Sequence, residues 1–88
     1  MLKAQFGSKF KKDYKKVGKQ GRDIATLKNV MIRLQKQEKL DSKFRDHDLI
    51  GNWKGCRECH LGADWLLIYR IEDDTIVFIR TGSHTEIL

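Results

Sequence analysis

The chain has 88 residues, 40% of them hydrophobic, and a formal net charge of +6. This length predicts a single domain, residues 1–88, and excludes a second hydrophobic core. No apolar run approaches the roughly 20 residues of a membrane-spanning helix, and lysines interrupt the opening segment where a signal peptide would be apolar. We therefore expect a cytoplasmic protein without membrane contact, in which Cys56 and Cys59 are reduced thiols.

The positive charge is concentrated in the first half of the chain. Residues 1–45 carry fourteen basic and four acidic side chains, a net charge of +10, whereas residues 46–88 sum to −4. A basic half favours RNA, DNA or an acidic protein as the partner, although a solvated lysine face has the same composition.

The first part of the chain predicts one strand and two helices. Residues 2–6 alternate apolar and polar side chains, as a half-buried strand does. Ser8 is the expected N-cap of a first amphipathic helix, which ends at Gly18–Gly21. Asp23 caps a second helix, which ends near Lys36.

The second part predicts a sheet. A polar loop over residues 44–52 precedes three strands, at Trp53–His60, Trp65–Ile71 and Thr75–Arg80. The order β-α-α-β-β-β indicates an α+β fold, with the two helices packed on one face of a mostly antiparallel sheet.

Histidines supply the candidate chemistry. His47 lies in the loop, His60 ends a strand, His84 follows the last strand, and Asp64 lies in a turn. If consecutive strands pair, these positions converge on one edge of the sheet. Imidazoles titrate near neutral pH, so two of them can act as base and acid in cleaving RNA, which brings its own 2′-hydroxyl nucleophile. The alternative is that the histidines are unrelated surface residues.

A second motif points to haem or zinc. The run from Cys56 through Cys59 to His60 matches the C-x-x-C-H haem-attachment pattern, and a remote histidine would complete a zinc set. Side chains alternate along a strand, so two cysteines three apart face opposite sides. We therefore expect no cofactor and no metal.

The two tryptophans have different expected places. Trp53 is predicted in the core, whereas Trp65, beside Asp64 at the beginning of a strand, is a candidate for stacking on an unpaired RNA base.

From residue 44 onward, many residues at fixed spacings resemble the YafQ branch of the RelE-like toxins. The shared residues are Phe44-Arg45-Asp46-His47, Leu49, Gly51-Asn52-Trp53-Lys54-Gly55, Arg57-Glu58-Cys59-His60, Asp64-Trp65-Leu66-Leu67-Ile68-Tyr69, Asp73-Asp74 and Arg80-Thr81-Gly82-Ser83-His84.

This resemblance implies a compact RelE-like microbial-RNase fold and cleavage of mRNA in the ribosomal A site. It implies neutralisation by an antitoxin of the DinJ/RelB kind, with operator DNA bound only through the toxin–antitoxin complex. One departure is that relatives often end in an aromatic residue, whereas this chain ends in Leu88. Glu58 matches an acidic position of the family. The family's catalytic positions fall on His47, His60, Asp64 and His84, with Trp65 beside them.

These considerations combine into one hypothesis, a metal-independent endoribonuclease toxin of translation. His84 and His47 are the expected proton-transferring pair, while Arg57 and Lys54 are candidates for stabilising the phosphate charge. Two alternatives from the binding class are a translation blocker that occupies RNA without cutting it and a basic nucleic-acid-binding module. Lysines of the first helix are expected to hold rRNA, namely Lys11, Lys12, Lys15 and Lys16.

Overall fold

A computed structural model describes all 88 residues. Five strands form one sheet in the order β1-β5-β4-β3-β2, and two long helices pack on it, so the predicted α+β fold is confirmed. None of the helices has the length and apolar content that crossing a membrane requires. The elements are β1 (Lys3–Phe6), α1 (Ser8–Lys19), α2 (Ile24–Gln35), β2 (His47–Asp48), β3 (Arg57–Gly62), β4 (Trp65–Glu72), β5 (Thr75–Gly82) and α3 (His84–Ile87).

The sheet is mixed. β1 runs parallel to β5, with Lys3 opposite Thr75, and the pairs β5–β4, β4–β3 and β3–β2 are antiparallel. The predominance of antiparallel pairs agrees with the sequence. β1 pairs only with β5, the last strand in the sequence, and therefore forms one edge of the sheet. The two-residue β2 forms the other edge.

The hydrophobic core lies between the sheet and the two long helices. β4 is the central strand, and its first five residues, 65–69, are all buried. This explains why they form a continuous apolar run rather than an alternating one. The helices contribute their apolar stripes to the same core, with Phe10 and Val17 from α1 and Leu27, Val30 and Leu34 from α2.

The predicted strand Trp53–His60 begins too early. The structure starts β3 at Arg57 and places Gly51–Trp53 in a short 3-10 helix. Gly51 (φ 68°) and Gly55 (φ 93°) both adopt the left-handed conformation, which interrupts an extended strand. Trp53 is consequently half-buried and lies outside the core, so its predicted core position is wrong.

Smaller features of the fold either differ from the sequence-based expectation or confirm it. The polar loop contains a strand, β2, and the tail forms the short helix α3. The N-cap of α1 is Gly7 and not Ser8, and no side chain caps that end. Asp23 does cap α2, since its side chain accepts hydrogen bonds from the backbone N–H groups of Ala25 and Thr26.

A buried hydroxyl joins β4 to β5 and yields a stability prediction. Thr81 Oγ1 accepts the indole N–H of Trp65 at 3.0 Å and donates to the carbonyl of Leu66 at 2.8 Å. Thr81→Val keeps the shape but leaves the buried indole N–H unpaired, so we expect a loss of about 1–3 kcal/mol in the free energy of unfolding. Urea denaturation measures it.

Thr75→Val in the same strand is the matched control, because the Thr75 hydroxyl bonds only to the exposed Asp74 side chain. Its free energy of unfolding should stay close to the wild-type value. Equal stability of both variants would mean that the buried hydrogen bonds contribute nothing.

Candidate functional site

Three histidines from three elements meet beside β3. His60 belongs to β3, His47 to β2 and His84 to the beginning of α3. His60 lies in the middle, with its ring centroid 5.8 Å from that of His47 and 5.9 Å from that of His84. Residues 37 positions apart in the sequence therefore line one surface, as the predicted strand pairing requires.

A buried carboxylate lies under two of these rings. Glu58 is only 4% exposed, and its oxygens are 3.4 Å from His47 Nε2 and 3.7 Å from His60 Nε2. Pairing of β2 with β3 sets His47 opposite Glu58, and strand alternation puts Glu58 and His60 on the same face. This carboxylate can stabilise an imidazolium that forms on either ring.

Asp64 orients His84. Its Oδ1 accepts the backbone N–H of His84 at 3.0 Å and lies 2.9 Å from the ring Nδ1. These two contacts, the backbone one first, lower the pKa of Asp64. A carboxylate only accepts, so Nδ1 carries the proton and Nε2 is the atom of His84 that remains for proton transfer. Asp64 reaches this position from the β3–β4 turn, where its φ is 51°.

The helix α3 that carries His84 is held by polar contacts. Ser83 and Glu86 form a capping box, in which each side chain accepts the other residue's backbone N–H. Glu86 also forms an ion pair with Lys16 of α1. The Lys16 hydrogen bond, followed by those of Ser83, lowers the pKa of Glu86 to about 2. A four-residue helix depends on such contacts because it has almost no packing of its own.

A network of four side chains, which we call the clamp, fixes the segment of His47. The buried hydroxyl of Tyr69 donates to Asp46 Oδ1 at 2.6 Å. Arg57 donates from Nε to the same oxygen at 3.3 Å and from Nη1 to Asp48 Oδ1 at 2.6 Å. Both neighbours of His47 are thereby attached to β3 and β4. His47 Nδ1 lies 2.6 Å from the carbonyl of Arg45, which leaves Nε2 facing Glu58.

The pKa shifts agree with these contacts. Burial alone would lower the pKa of Arg57, but its bonds to Tyr69 and Asp46 outweigh that effect and raise it. Burial, followed by the hydrogen bond to Asp46, raises the pKa of Tyr69. For His60, burial and then the charge of Arg45 lower the pKa, so this ring is neutral at neutral pH.

Two predicted RNA contacts do not fit the structure. Trp65 is 4% exposed and packed in the core, so it has no free face for a base. Arg57 is bonded to two carboxylates in the clamp, so its charge is already compensated. Lys54 is exposed and forms no ion pair. The four predicted lysines of α1, Lys11, Lys12, Lys15 and Lys16, are all exposed.

The expectation of no metal stays a prediction, although three side chains beside β3 lie close enough together to hold an ion. Ligand atoms of His47, Glu58 and His60 all lie within 4.8 Å of one another, a spacing that suits a transition-metal ion. The alternative zinc site from the sequence included Cys56 and Cys59. Both thiols are buried, and neither belongs to this cluster. Burial, then the nearby carboxylates, raises the pKa of Cys59, which makes its thiol a poor ligand.

Two residues near the histidines were undervalued in the sequence. Glu58 was only a minor candidate, although a glutamate two positions before a histidine in a strand shares its face. Arg45 belongs to the shared motif but had no predicted role, although its positive charge lowers the pKa of His60. No pattern in the sequence distinguishes Arg45 from the bonded Arg57.

Residues 2–88 match the family model "Bacterial toxin of type II toxin-antitoxin system, YafQ". The mRNA interferase toxin YafQ of Escherichia coli K12 is 36% identical over 81 residues, covering 91% of this chain and 88% of that protein. A copper-bound mutant toxin from Helicobacter pylori has a TM-score of 0.96 and 42% identity, with both chains fully covered. The toxin chain of the E. coli DinJ–YafQ complex has a TM-score of 0.91 and 34% identity, covering 100% and 99% of the chains.

The clamp generates a prediction. Tyr69→Phe removes the hydroxyl that bonds to the Asp46 carboxylate, so we expect a loss of about 1.5–3 kcal/mol in stability. Beyond the general acceleration that this loss causes, amide exchange should increase most in residues 45–49 and their β3 partners. Urea denaturation and hydrogen-exchange NMR measure the two effects. Tyr14→Phe, in a half-buried tyrosine outside the clamp, is the control; exchange in residues 45–49 no faster than in that control would contradict the assigned role.

Proposed function

Because the chain belongs to the YafQ family of bacterial type II toxins, we propose that it is an mRNA endoribonuclease that arrests translation and is neutralised by a cognate antitoxin. The observation that carries this proposal is the row of three imidazoles, with ring centroids 5.8 and 5.9 Å apart and a carboxylate beside each ring. The mRNA interferase relative supports the choice of substrate. All 88 residues act as one toxin domain in the cytoplasm.

The reaction is acid–base cleavage. One imidazole removes the proton of the ribose 2′-hydroxyl as its oxygen bonds to phosphorus, and a second gives a proton to the 5′-oxygen as the P–O5′ bond breaks. The products are a 2′,3′-cyclic phosphate and a 5′-hydroxyl. His47 and His84 are the outer rings of the row and serve as this pair, acting through their Nε2 atoms. Asp64 orients His84, while Glu58 and His60 support the charged intermediate states.

RNA binding is electrostatic outside this row. Of the two predicted phosphate-stabilising cations, only Lys54 is free, because Arg57 belongs to the clamp. Of the four predicted lysines of α1, Lys11, Lys12 and Lys15 hold rRNA and place the histidines at mRNA in the ribosomal A site, whereas Lys16 is paired with Glu86. The complex with antitoxin, rather than the toxin alone, binds operator DNA.

Removal of one imidazole tests the chemistry. His84→Ala should lower cleavage about 100-fold or more, since general acid–base catalysis contributes factors of that size. The assay maps new 5′ ends on mRNA in a translation extract. Thr85→Ala, an exposed neighbour on α3, should cleave like the wild type. Translation arrest without discrete cuts by the wild type would instead establish a non-cleaving blocker.

A chelator serves as the second control on the same reaction. Copper bound by the H. pylori toxin suggests that an ion could occupy the cluster of His47, Glu58 and His60 here. Such an ion would take the lone pairs that accept protons, so EDTA should leave cleavage unchanged or raise it. Loss of cleavage with EDTA, at magnesium levels that keep ribosomes intact, would contradict the metal-independent mechanism.

The antitoxin has a candidate docking site away from the histidines, which we call the apolar groove. It is a groove of about 590 Å³ between α1, α2 and the edge strand β1. Phe6 and Ile32 are each 46% exposed there, although both are large and apolar. Lysines on its rim favour an acidic amphipathic helix as occupant, in the helix-in-groove mode. The rim lysines are Lys11, Lys15 and Lys28, and the other apolar side chains are Ala4, Phe10, Tyr14, Met31 and Phe78.

A charge placed in the apolar groove should separate toxicity from neutralisation. We expect Ile32→Glu to cleave mRNA normally but to need at least about tenfold more antitoxin for inhibition, because the carboxylate must be desolvated against an acidic helix. The inhibitor is the protein of the adjacent reading frame, titrated in the cleavage assay. Ile71→Glu, at a 42% exposed site on β4, is the matched control. Unchanged inhibition of Ile32→Glu would rule out this docking site.

A further inference from the structure

A second concave surface adjoins the histidines, and we call it the α2 cleft. It lies between α2, residues 41–45 and the end of β3, with a volume of about 550 Å³. This size falls within the range of small-molecule sites, which take up a single nucleotide. The side chains that matter for its chemistry are those of Asn29, Lys43, Arg45 and His60.

Two cations of this cleft have no partner. The side chains of Lys43 and Arg45 form no ion pair and no hydrogen bond, although Lys43 Nζ rests over the Phe44 ring at 5.3 Å. Arg33 of the same cleft is different, since it pairs with Glu38 at 3.6 Å and Asp41 at 3.9 Å. Uncompensated positive charge in a concave site attracts phosphate.

Arg45 is also the cation that the histidine row lacks. Its carbonyl lies 2.6 Å from His47 Nδ1, and its side chain lines the same cleft as His60. The residue ends the 3-10 helix Ser42–Phe44 in a left-handed conformation, φ 46°, so the backbone direction is defined. The clamp, by contrast, compensates Arg57. A guanidinium without an ion pair therefore lines the α2 cleft together with His60.

We propose that the α2 cleft binds the nucleotide next to the scissile phosphate, with Arg45 and Lys43 on its phosphate group and the Asn29 amide at the edge of its base. This inference rests on the proposed function, because it assigns a subsite to the same RNA substrate. An amide side chain offers both donor and acceptor groups, which is the chemistry that reads base edges in unpaired RNA. Arg45 thus joins substrate binding to the histidine row.

The experiment measures binding apart from cleavage. The probe is a fluorescently labelled RNA hexamer with 2′-O-methyl riboses, which lacks the nucleophile and cannot be cut. Arg45→Gln should weaken its binding about tenfold and reduce the slope of log affinity against log salt by about 0.7, the value for one phosphate contact on a single strand. Lys43→Gln should act in the same direction. Lys39→Gln, an exposed lysine outside the cleft, should leave both quantities unchanged.

Amide NMR spectra with the same hexamer show where it binds and whether each variant is folded. Shifts confined to residues 26–30, 43–45 and 60–63 support the cleft. The inference is overturned if the hexamer leaves those amides unchanged, or if folded Arg45→Gln and Lys43→Gln both bind like the wild type. Binding at the cleft by a wild-type protein that cuts no mRNA would refute the nuclease and keep the subsite. Cleavage that survives both variants, with unaltered binding, would refute the subsite alone.

Discussion

Hydrogen bonds accepted by two carboxylates, Asp46 and Asp64, hold the histidine row together. His47 lies on a strand of two residues and His84 on a helix of four, and neither element has enough packing to position a ring. Asp46 attaches the first to Tyr69 and Arg57, and Asp64 binds the second through its backbone and its ring. Only His60 lies on a full-length strand. The row therefore depends on polar contacts at its two ends and on sheet packing at its centre.

These contacts are strong because their partner side chains belong to the central strands of the sheet. Tyr69 is a core residue of β4, so the hydroxyl that donates to Asp46 belongs to a side chain that core packing holds in place. Glu58 is also buried, at 4% exposure, and its oxygens lie 3.4 Å from His47 Nε2 and 3.7 Å from His60 Nε2. Tyr69 and Glu58 thus connect the apolar core to the histidines that transfer protons.

Much of the fold was predictable because it follows from apolar spacing. The continuous run 65–69 identified the central strand, and Asp23 identified the beginning of α2. The sequence also grouped His47, His60, Asp64 and His84 correctly in space, although the family resemblance did more for this than the spacing did. It failed where a local backbone conformation decided the outcome, as at Gly51 and Gly55, which move the start of β3 to Arg57.

It failed again where the partner of a charge mattered. Arg45 and Arg57 are twelve residues apart and equally basic, but Asp46 and Asp48 bond to one and leave the other free. Trp65 was a candidate for base stacking for a similar reason, since nothing local indicates that Thr81, sixteen residues later, accepts a hydrogen bond from its indole N–H. Contacts between side chains on different strands decide which charges and polar groups are free, and a single sequence does not show those contacts.

The distribution of free and paired charge separates three surfaces of this small protein. Cations at the histidine row are either bonded, as Arg57 is, or free at the α2 cleft, as Arg45 is. Those on the rim of the apolar groove surround exposed aromatic and aliphatic side chains instead of imidazoles. A net charge of +6 therefore does not describe one RNA-binding face. The same basic helix α1 contributes to two surfaces, with Lys16 bonded to α3 beside His84 and with Lys11 and Lys15 at the groove. Because no histidine lines the groove, an antitoxin helix bound there would have to be followed by a further segment to cover the histidines.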